Sequence, residues 1–301
     1  MITAGDSILR VLGDQSRYVL VPWRALVILR QATVMLNPAQ RRWKQLPELE
    51  SDLSAILRGM RKRGEISLLT ETPRSYQITT PYARKSSPSP TELLLELNPY
   101  GAISHASALT FHGLSLDLPE RITAMTPSTG RFDLIPVGTE EADWDGLLRP
   151  SGFSVSNVLG THVSWQRTKV EHFFGVATYR EGDIPIYVTT PERTLVEGLR
   201  SPDACGGIIN VLSSWSRARW TLDVESIIAT VNRFNVGILR QRVGYVLESL
   251  GFSHQELIRW QRSARRGGSS RLVASEPFLS TFSARWSLSL NGPVHLLGEE
   301  M

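Results

Sequence analysis

The stretch Ser51–Thr79, SDLSAILRGMRKRGEISLLTETPRSYQIT, decides how the chain reads. In its first half Leu53, Ile56, Leu57 and Met60 fall at i, i+3, i+4 and i+7, the spacing of one apolar helix face. The other side of that helix, Ser51–Arg63, carries Arg58, Arg61, Lys62 and Arg63, and Gly64 follows as a C′ glycine that ends it. After Gly64 the period changes from helical to extended. Glu65–Leu69 and Ser75–Thr79 read as two strands around the turn Thr70–Arg74, with Pro73 inside it. A basic-faced helix followed at once by a hairpin is the order of a winged helix-turn-helix. In that motif the helix enters the major groove and the hairpin touches phosphates beside it.

N-terminal to this stretch the pattern is helical. Ile2–Gly13 has Thr3 or Asp6 as its cap, and Pro22–Leu36 opens with a proline in its first turn. Pro38–Leu46 reads as a third, basic helix. C-terminal to it, Lys85–Pro90 (KSSPSP) has the Ser and Pro content of a linker. The expected domains are therefore 1–85 and 86–301, the second able to bury its own core. Charge divides the same way: residues 1–84 hold 13 Lys or Arg and 7 Asp or Glu, a net +6, while residues 85–301 net −2. A small basic module on a near-neutral body implies a polyanion contact at one end, against the plainer alternative of a solvated basic face.

Beyond the linker, Thr91–Leu97 and Ile103–His112 read as helices. Arg121–Thr126, Phe132–Val137, Phe173–Tyr179 and Ile184–Thr189 read as strands, with the polar stretch Gly152–His162 between them. Thr190 is placed to cap a helix over Glu192–Leu199, with Pro191 at its first position. Helix signals then dominate (Val211–Trp215, Val224–Phe234, Ile238–Leu250, Gln255–Trp260) up to a Gly/Ser/Arg loop, Arg262–Arg271, and a last strand, Trp286–Leu290. The fold class is α+β: an N-terminal winged helix-turn-helix, then a larger mixed domain with a helical C-terminal part.

Composition narrows the function classes. With 41% hydrophobic and 21% charged residues in 301, the chain can bury real cores. No window of 18 residues is uninterruptedly apolar, which argues against a membrane span, and Asp6 and Arg10 sit where a signal peptide needs an apolar region. A lone Cys205 cannot form an internal disulfide or anchor a Cys-based zinc site. The expected compartment is the cytoplasm. Phosphate-loop, HExxH and GxSxG templates are absent. His105 and His112 lie seven apart, but a metal needs three or four converging ligands, so they read as structural or capping residues, His112 at a helix C-terminus where the dipole favours an imidazolium. Neither a metal nor a cofactor is expected. Glu140, Glu141, Asp143 and Asp145 form an acidic run that reads as a solvated loop, with magnesium as the alternative.

Several strings in order resemble the abortive-infection (AbiE-type) type IV antitoxins, which are transcriptional regulators. They are the helix–Arg-Gly–hairpin of Asp52–Thr79, then GAISHASALTFHGL at Gly101–Leu114, then Pro119-Glu120-Arg121 leading into a strand. VTTPERTLVE at Val188–Glu197, GYVLE at Gly244–Glu248 and WSLSLN at Trp286–Asn291 complete the set. The resemblance runs from about residue 50 to 291 and leaves out the first 48 residues. It implies a repressor–antitoxin whose winged helix binds inverted repeats in its own promoter. Its larger domain would neutralise a cognate nucleotidyltransferase-like toxin, with or without a stable complex. It supplies no catalytic residue.

The expected DNA contacts are Ser51, Ser54, Arg58, Arg61 and Lys62 on or beside the recognition helix, and Arg74 at the wing tip. Arg265, Arg266 and Arg271 are a possible second polyanion contact, against a mobile solvated loop. The competing class is a metal-dependent nuclease or nucleotide transferase using Glu192, Glu197 and the acidic run. A third is a protein-interaction scaffold with no DNA role.

Overall fold

The computed structural model describes residues 1–70, 72, 74–80, 87–128, 134–264 and 270–298. Its first elements are α1 (Ala4–Asp14), β1 (Val19–Leu20), α2 (Pro22–Met35), α3 (Ser54–Lys62, preceded by a 3-10 turn at Glu50–Leu53), β2 (Ile66–Leu68) and β3 (Tyr76–Ile78). There follow α4 (Pro90–Leu97), β4 (Ala102–Ile103), α5 (His105–Phe111), β5 (Ile122–Pro127), β6 (Asn157–Val158), β7 (Thr161–Thr168), β8 (Val176–Glu181) and β9 (Ile184–Thr189). Helices then take over: α6 (Pro191–Arg200), α7 (Ile208–Ala218), α8 (Val224–Phe234), α9 (Gly237–Ser249) and α10 (Gln255–Ser263). A short hairpin, β10 (Phe282–Ser283) with β11 (Leu288–Ser289), comes last. The fold is α+β. Its largest sheet is mixed, in the order β6-β7-β5-β4-β9-β8, with β4 and β9 parallel and β6 and β7 antiparallel. No helix among the described residues is long and apolar enough to cross a membrane.

The chain packs as two compact units. One comprises Met1–Ala102, Thr126–Val170 and Thr178–Tyr187; the other comprises Ile103–Met125, Glu171–Ala177 and Val188–Met301. In the first unit β1, β3 and β2 form an antiparallel sheet in that order. Ile8, Leu12, Leu26, Leu29, Leu53 and Met60 from the three helices pack together with Ile66 and Ile78 from the strands. Thr3 caps α1 in a full capping box with Asp6, and Gly64 takes φ 69°, the left-handed conformation that ends α3 without a Cβ penalty.

Helix α4 belongs to this same unit, so the contacts do not divide at the Ser/Pro segment where the 85/86 boundary was expected. The reason lies in two buried carboxylates. Glu92 accepts hydrogen bonds from the amides of Tyr18 and Val19 at 2.8 and 3.1 Å. Glu96 accepts from Arg17 at 2.6 Å and from Arg24 at 2.8 and 3.1 Å. A buried carboxylate must be hydrogen-bonded, and a buried charge must be paired, so these bonds tie α4 to β1, to α2 and to the residues just before β1.

Two expected elements are corrected. Pro38–Leu46 is not a helix: Arg41 is buried and donates to the carbonyls of Trp43 and Lys44, at 2.6 and 3.0 Å. A helix would have offered the Trp43 carbonyl only Pro47, which has no N–H. In Phe132–Val137 the described part is not a strand, because Leu134 and Val137 bond to Arg149 and Pro99 rather than to a ladder; the rest of that segment lies outside the described residues. The polar stretch before His162 gives way to β7, the longest strand, which went unread. Ile103 is strand, and α5 starts only at His105.

The second unit is built on α6 to α10. Trp215, Val231, Val243, Leu247 and Trp286 lie fully buried at its centre. The Thr190 hydroxyl accepts from the Arg193 amide and caps α6 as expected. In α9, Gly244 gives room to the Trp286 ring, whose indole N–H donates to Glu248 at 2.7 Å.

Candidate nucleic-acid interface

The 3-10 turn at Glu50–Leu53 and helix α3 together bury Leu53, Leu57 and Met60 and leave Ser51, Ser54, Arg58, Arg61 and Lys62 exposed. The partition follows from the 3.6-residue period alone. Its start is held by Asp52, whose carboxylate accepts the Glu48 and Leu49 amides, each at 3.0 Å; these two bonds hold its pKa below the usual carboxylate value. At the far end of the hairpin the hydroxyls of Thr72 and Ser75 bond to each other and fix the turn. Arg74 sits in that turn at φ 51° with its guanidinium exposed.

These parts converge. Ser51, Ser54, Arg58, Arg61 and Arg74 line one open cleft of about 350 Å³, with Pro22, Leu57 and Tyr76 as its apolar wall. One acidic residue, Glu50, lies in it, with a carboxylate oxygen 3.7 Å from Arg74. Arg58 and Arg61 form no ion pair among the described residues, and three cations against one anion leave the cleft positive. Lys62 is exposed but does not line the cleft, and Arg63 is paired with Glu65 at 2.8 Å. Helix and turn thus bring five of the six expected contacts together.

The second expected contact fares differently. Arg265 and Arg266 lie outside the described residues. Arg271 is half-buried and tied into the second unit, donating to the Glu276 carbonyl at 2.9 Å while its own carbonyl accepts from Arg242.

The strings of Ile103–Leu114 and Val188–Glu197 meet in a buried cluster. Arg193 is fully buried between the rings of Phe174 and Phe234, 4.4 and 4.0 Å from their centroids, and donates to Glu197 at 2.6 Å and to the His172 carbonyl at 2.9 Å. Burial pulls its pKa down to about 10, against the opposing pull of Glu197. His105 bonds the Ser104 hydroxyl through Nδ1 at 2.8 Å, and its Nε2 is 3.7 Å from Glu197. Burial lowers the His105 pKa as well. Ser, His and Glu in a row suggest a nucleophilic triad, but all three side chains are buried. His112 ends α5 as expected, yet burial depresses its pKa and its Nε2–H donates to the Thr189 carbonyl at 2.7 Å, so it works as a neutral anchor rather than an imidazolium.

Of the groups of the enzyme alternative, Glu192 is half-buried in the first turn of α6, and three others are engaged. Glu197 is committed to Arg193, Asp143 accepts from Gln31 at 2.8 Å and from the Glu140 amide, and Glu141 pairs with Arg149. No group of three or more His, Cys, Asp or Glu able to hold a metal ion occurs among the described residues.

No protein-family model matches the chain, and no curated protein matches it. In structure it is similar to the crystal structure of the RV2827C protein from Mycobacterium tuberculosis, at 16% identity and a TM-score of 0.48, over 98% of this chain and 93% of that one. A likeness at that level carries no functional argument.

Proposed function

We propose that this protein is a DNA-binding transcriptional regulator whose N-terminal module is a winged helix-turn-helix. The observation that carries the reading is the cleft: a helix face and a hairpin turn place Ser51, Ser54, Arg58, Arg61 and Arg74 around one positive concavity. The order α1-β1-α2-α3-β2-β3, with β3 between β1 and β2, supports it as the arrangement a winged helix requires. In this reading α3 lies in the major groove, Arg58 and Arg61 reach base edges or phosphates, and Arg74 takes a phosphate beside the groove. The resemblance to type IV antitoxins extends the proposal: the regulator binds inverted repeats at its own promoter and neutralises a nucleotidyltransferase-like toxin.

The test is a titration of the chain with its promoter duplex at several salt concentrations. Arg61→Ala should weaken binding and leave the melting temperature unchanged. A phosphate contact shows as a loss of about one in the salt slope, and a base contact as a loss of ~1–3 kcal/mol at one position of the site. Promoter affinity that is unchanged at moderate salt refutes α3 as the reading helix. For the toxin, co-expression of the full chain with a nucleotidyltransferase-like toxin encoded beside its gene should restore growth, and the absence of such a gene or of rescue refutes the antitoxin role.

A further inference from the structure

Beside the cleft on α3 the first unit holds a second cavity, of about 460 Å³, walled by Val21, Pro22, Trp23, Leu97, Pro150 and Phe153. Its size and largely apolar lining are those of a small-molecule site. Its far wall is preformed: the Phe153 amide donates to the Leu97 carbonyl at 2.8 Å, and the Tyr100 hydroxyl donates to the Pro150 carbonyl at 2.9 Å. Gly152, at φ 62°, closes this wall where a Cβ would come within 2.8 Å of Asn98 Oδ1.

The charged groups here are few. Glu50 and Arg74 line both this cavity and the α3 cleft. Their charged atoms are 3.7 Å apart and well exposed, so the pair is loose and a ligand can replace its hydration. Glu96 also borders the cavity, but both its oxygens are taken by Arg17 and Arg24, and it offers no free charge.

We propose that this cavity binds a free α-amino acid with an apolar side chain, its carboxylate on Arg74, its ammonium on Glu50 and its side chain against Trp23, Leu97 and Phe153. Glu50 and Arg74 already pair loosely with each other, and a ligand that holds two opposite charges equally close can meet both at once without leaving either unpaired. An α-amino acid holds them across one carbon. A fatty or aromatic acid sets its carboxylate against Glu50, and a simple amine leaves Arg74 unmatched. Because Arg74 also lines the α3 cleft, an amino acid held on its guanidinium competes with a phosphate for that contact. That consequence rests on the DNA reading above; binding itself does not.

The experiment is calorimetry on the full chain with L-leucine and L-phenylalanine, then with N-acetyl-L-phenylalanine and L-phenylalaninamide, each lacking one charge. The free amino acids should bind, and each capped analogue should bind about tenfold more weakly or worse, the loss of one charge-assisted contact. Glu50→Gln and Arg74→Gln should weaken the free amino acids alike, with circular dichroism unchanged. The capped ligands test the site on the wild-type chain even where a variant misfolds. No heat and no rise in melting temperature with any apolar amino acid at about 10 mM overturns the proposal, as does equal binding of the capped forms. In a second arm, saturating amino acid should lower the salt slope of duplex binding by about one. An unchanged slope refutes the coupling. A chain that binds no duplex at any salt refutes the DNA reading, and the calorimetry still decides the site.

Discussion

Replacing Glu92 by glutamine should stabilise the protein at pH 8 and do far less at pH 5. Glu92 is 1% exposed, and one carboxylate oxygen accepts the Tyr18 and Val19 amides while the other has no partner among the described residues. Burial pushes its pKa up to about 7 from 4.5, helped by the nearby Glu96 charge and opposed by the two amides and Arg17. Between those values the folded chain holds a proton that the unfolded chain has released, so stability falls as pH rises through the window. At roughly 1.4 kcal/mol per unit, the loss is about 3 kcal/mol by pH 8 and below about 1 kcal/mol at pH 5. Glutamine keeps the shape and the accepting oxygen but cannot ionise, so it escapes the loss. Urea melts of both proteins at the two pH values measure it. A variant no more stable than wild type at pH 8, or a difference independent of pH, refutes the assignment of a neutral, strand-bound Glu92.

Three further outcomes follow from the packing. Glu96→Ala leaves Arg17 and Arg24 buried beside a missing partner and should cost ~3–5 kcal/mol; a urea midpoint within error of wild type would refute the pairing of Glu96 with both arginines. The Arg24 and Arg17 charges outweigh burial and hold the Glu96 pKa low, so this stabilisation is present above the unfolded carboxylate pKa and disappears as pH falls through the folded one. A fragment of residues 86–301 removes, among the described residues, the hydrogen-bond donors to the Glu92 and Glu96 carboxylates, and should melt at lower urea than the full chain or fail to melt cooperatively; a fragment as stable as the full chain would show that α4 does not depend on β1 and α2. Gly244→Ala, worth about 1 kcal/mol in favour of an exposed helix, should instead cost ~1–3 kcal/mol, because the added methyl lands on the buried Trp286 ring. Melts of that variant equal to wild type would place the ring elsewhere.

The face of α3, the hairpin after it and the Thr190 cap of α6 were legible because each is a local pattern: apolar residues at helical spacing, a glycine stop, a hydroxyl before Pro191. The cleft shares that origin, with four of its expected residues on one helix and Arg74 only a hairpin away. What was illegible is what sequence separation hides. Arg17 and Arg24 read as ordinary charges on a basic module, yet they meet Glu96 across 79 and 72 residues. The second cavity draws its wall from Pro150–Phe153, which no pattern links to Trp23. β7 was missed because most of its side chains are half-buried, which blurs the alternation that marks a strand. A signal for the buried pairing was nevertheless present. Glu96 stands in the run Leu93-Leu94-Leu95-Glu96-Leu97, too apolar to have a solvent face. A carboxylate there must be buried, and a buried carboxylate must find cations or a proton. The nearest Lys and Arg, Lys85 and Arg84, lie on the N-terminal side of the helix, while the next one after it is Arg121, so the same five residues that mark a core helix also favour its packing on the N-terminal module. Composition placed the boundary at that segment; the charge inside a leucine run argues against it.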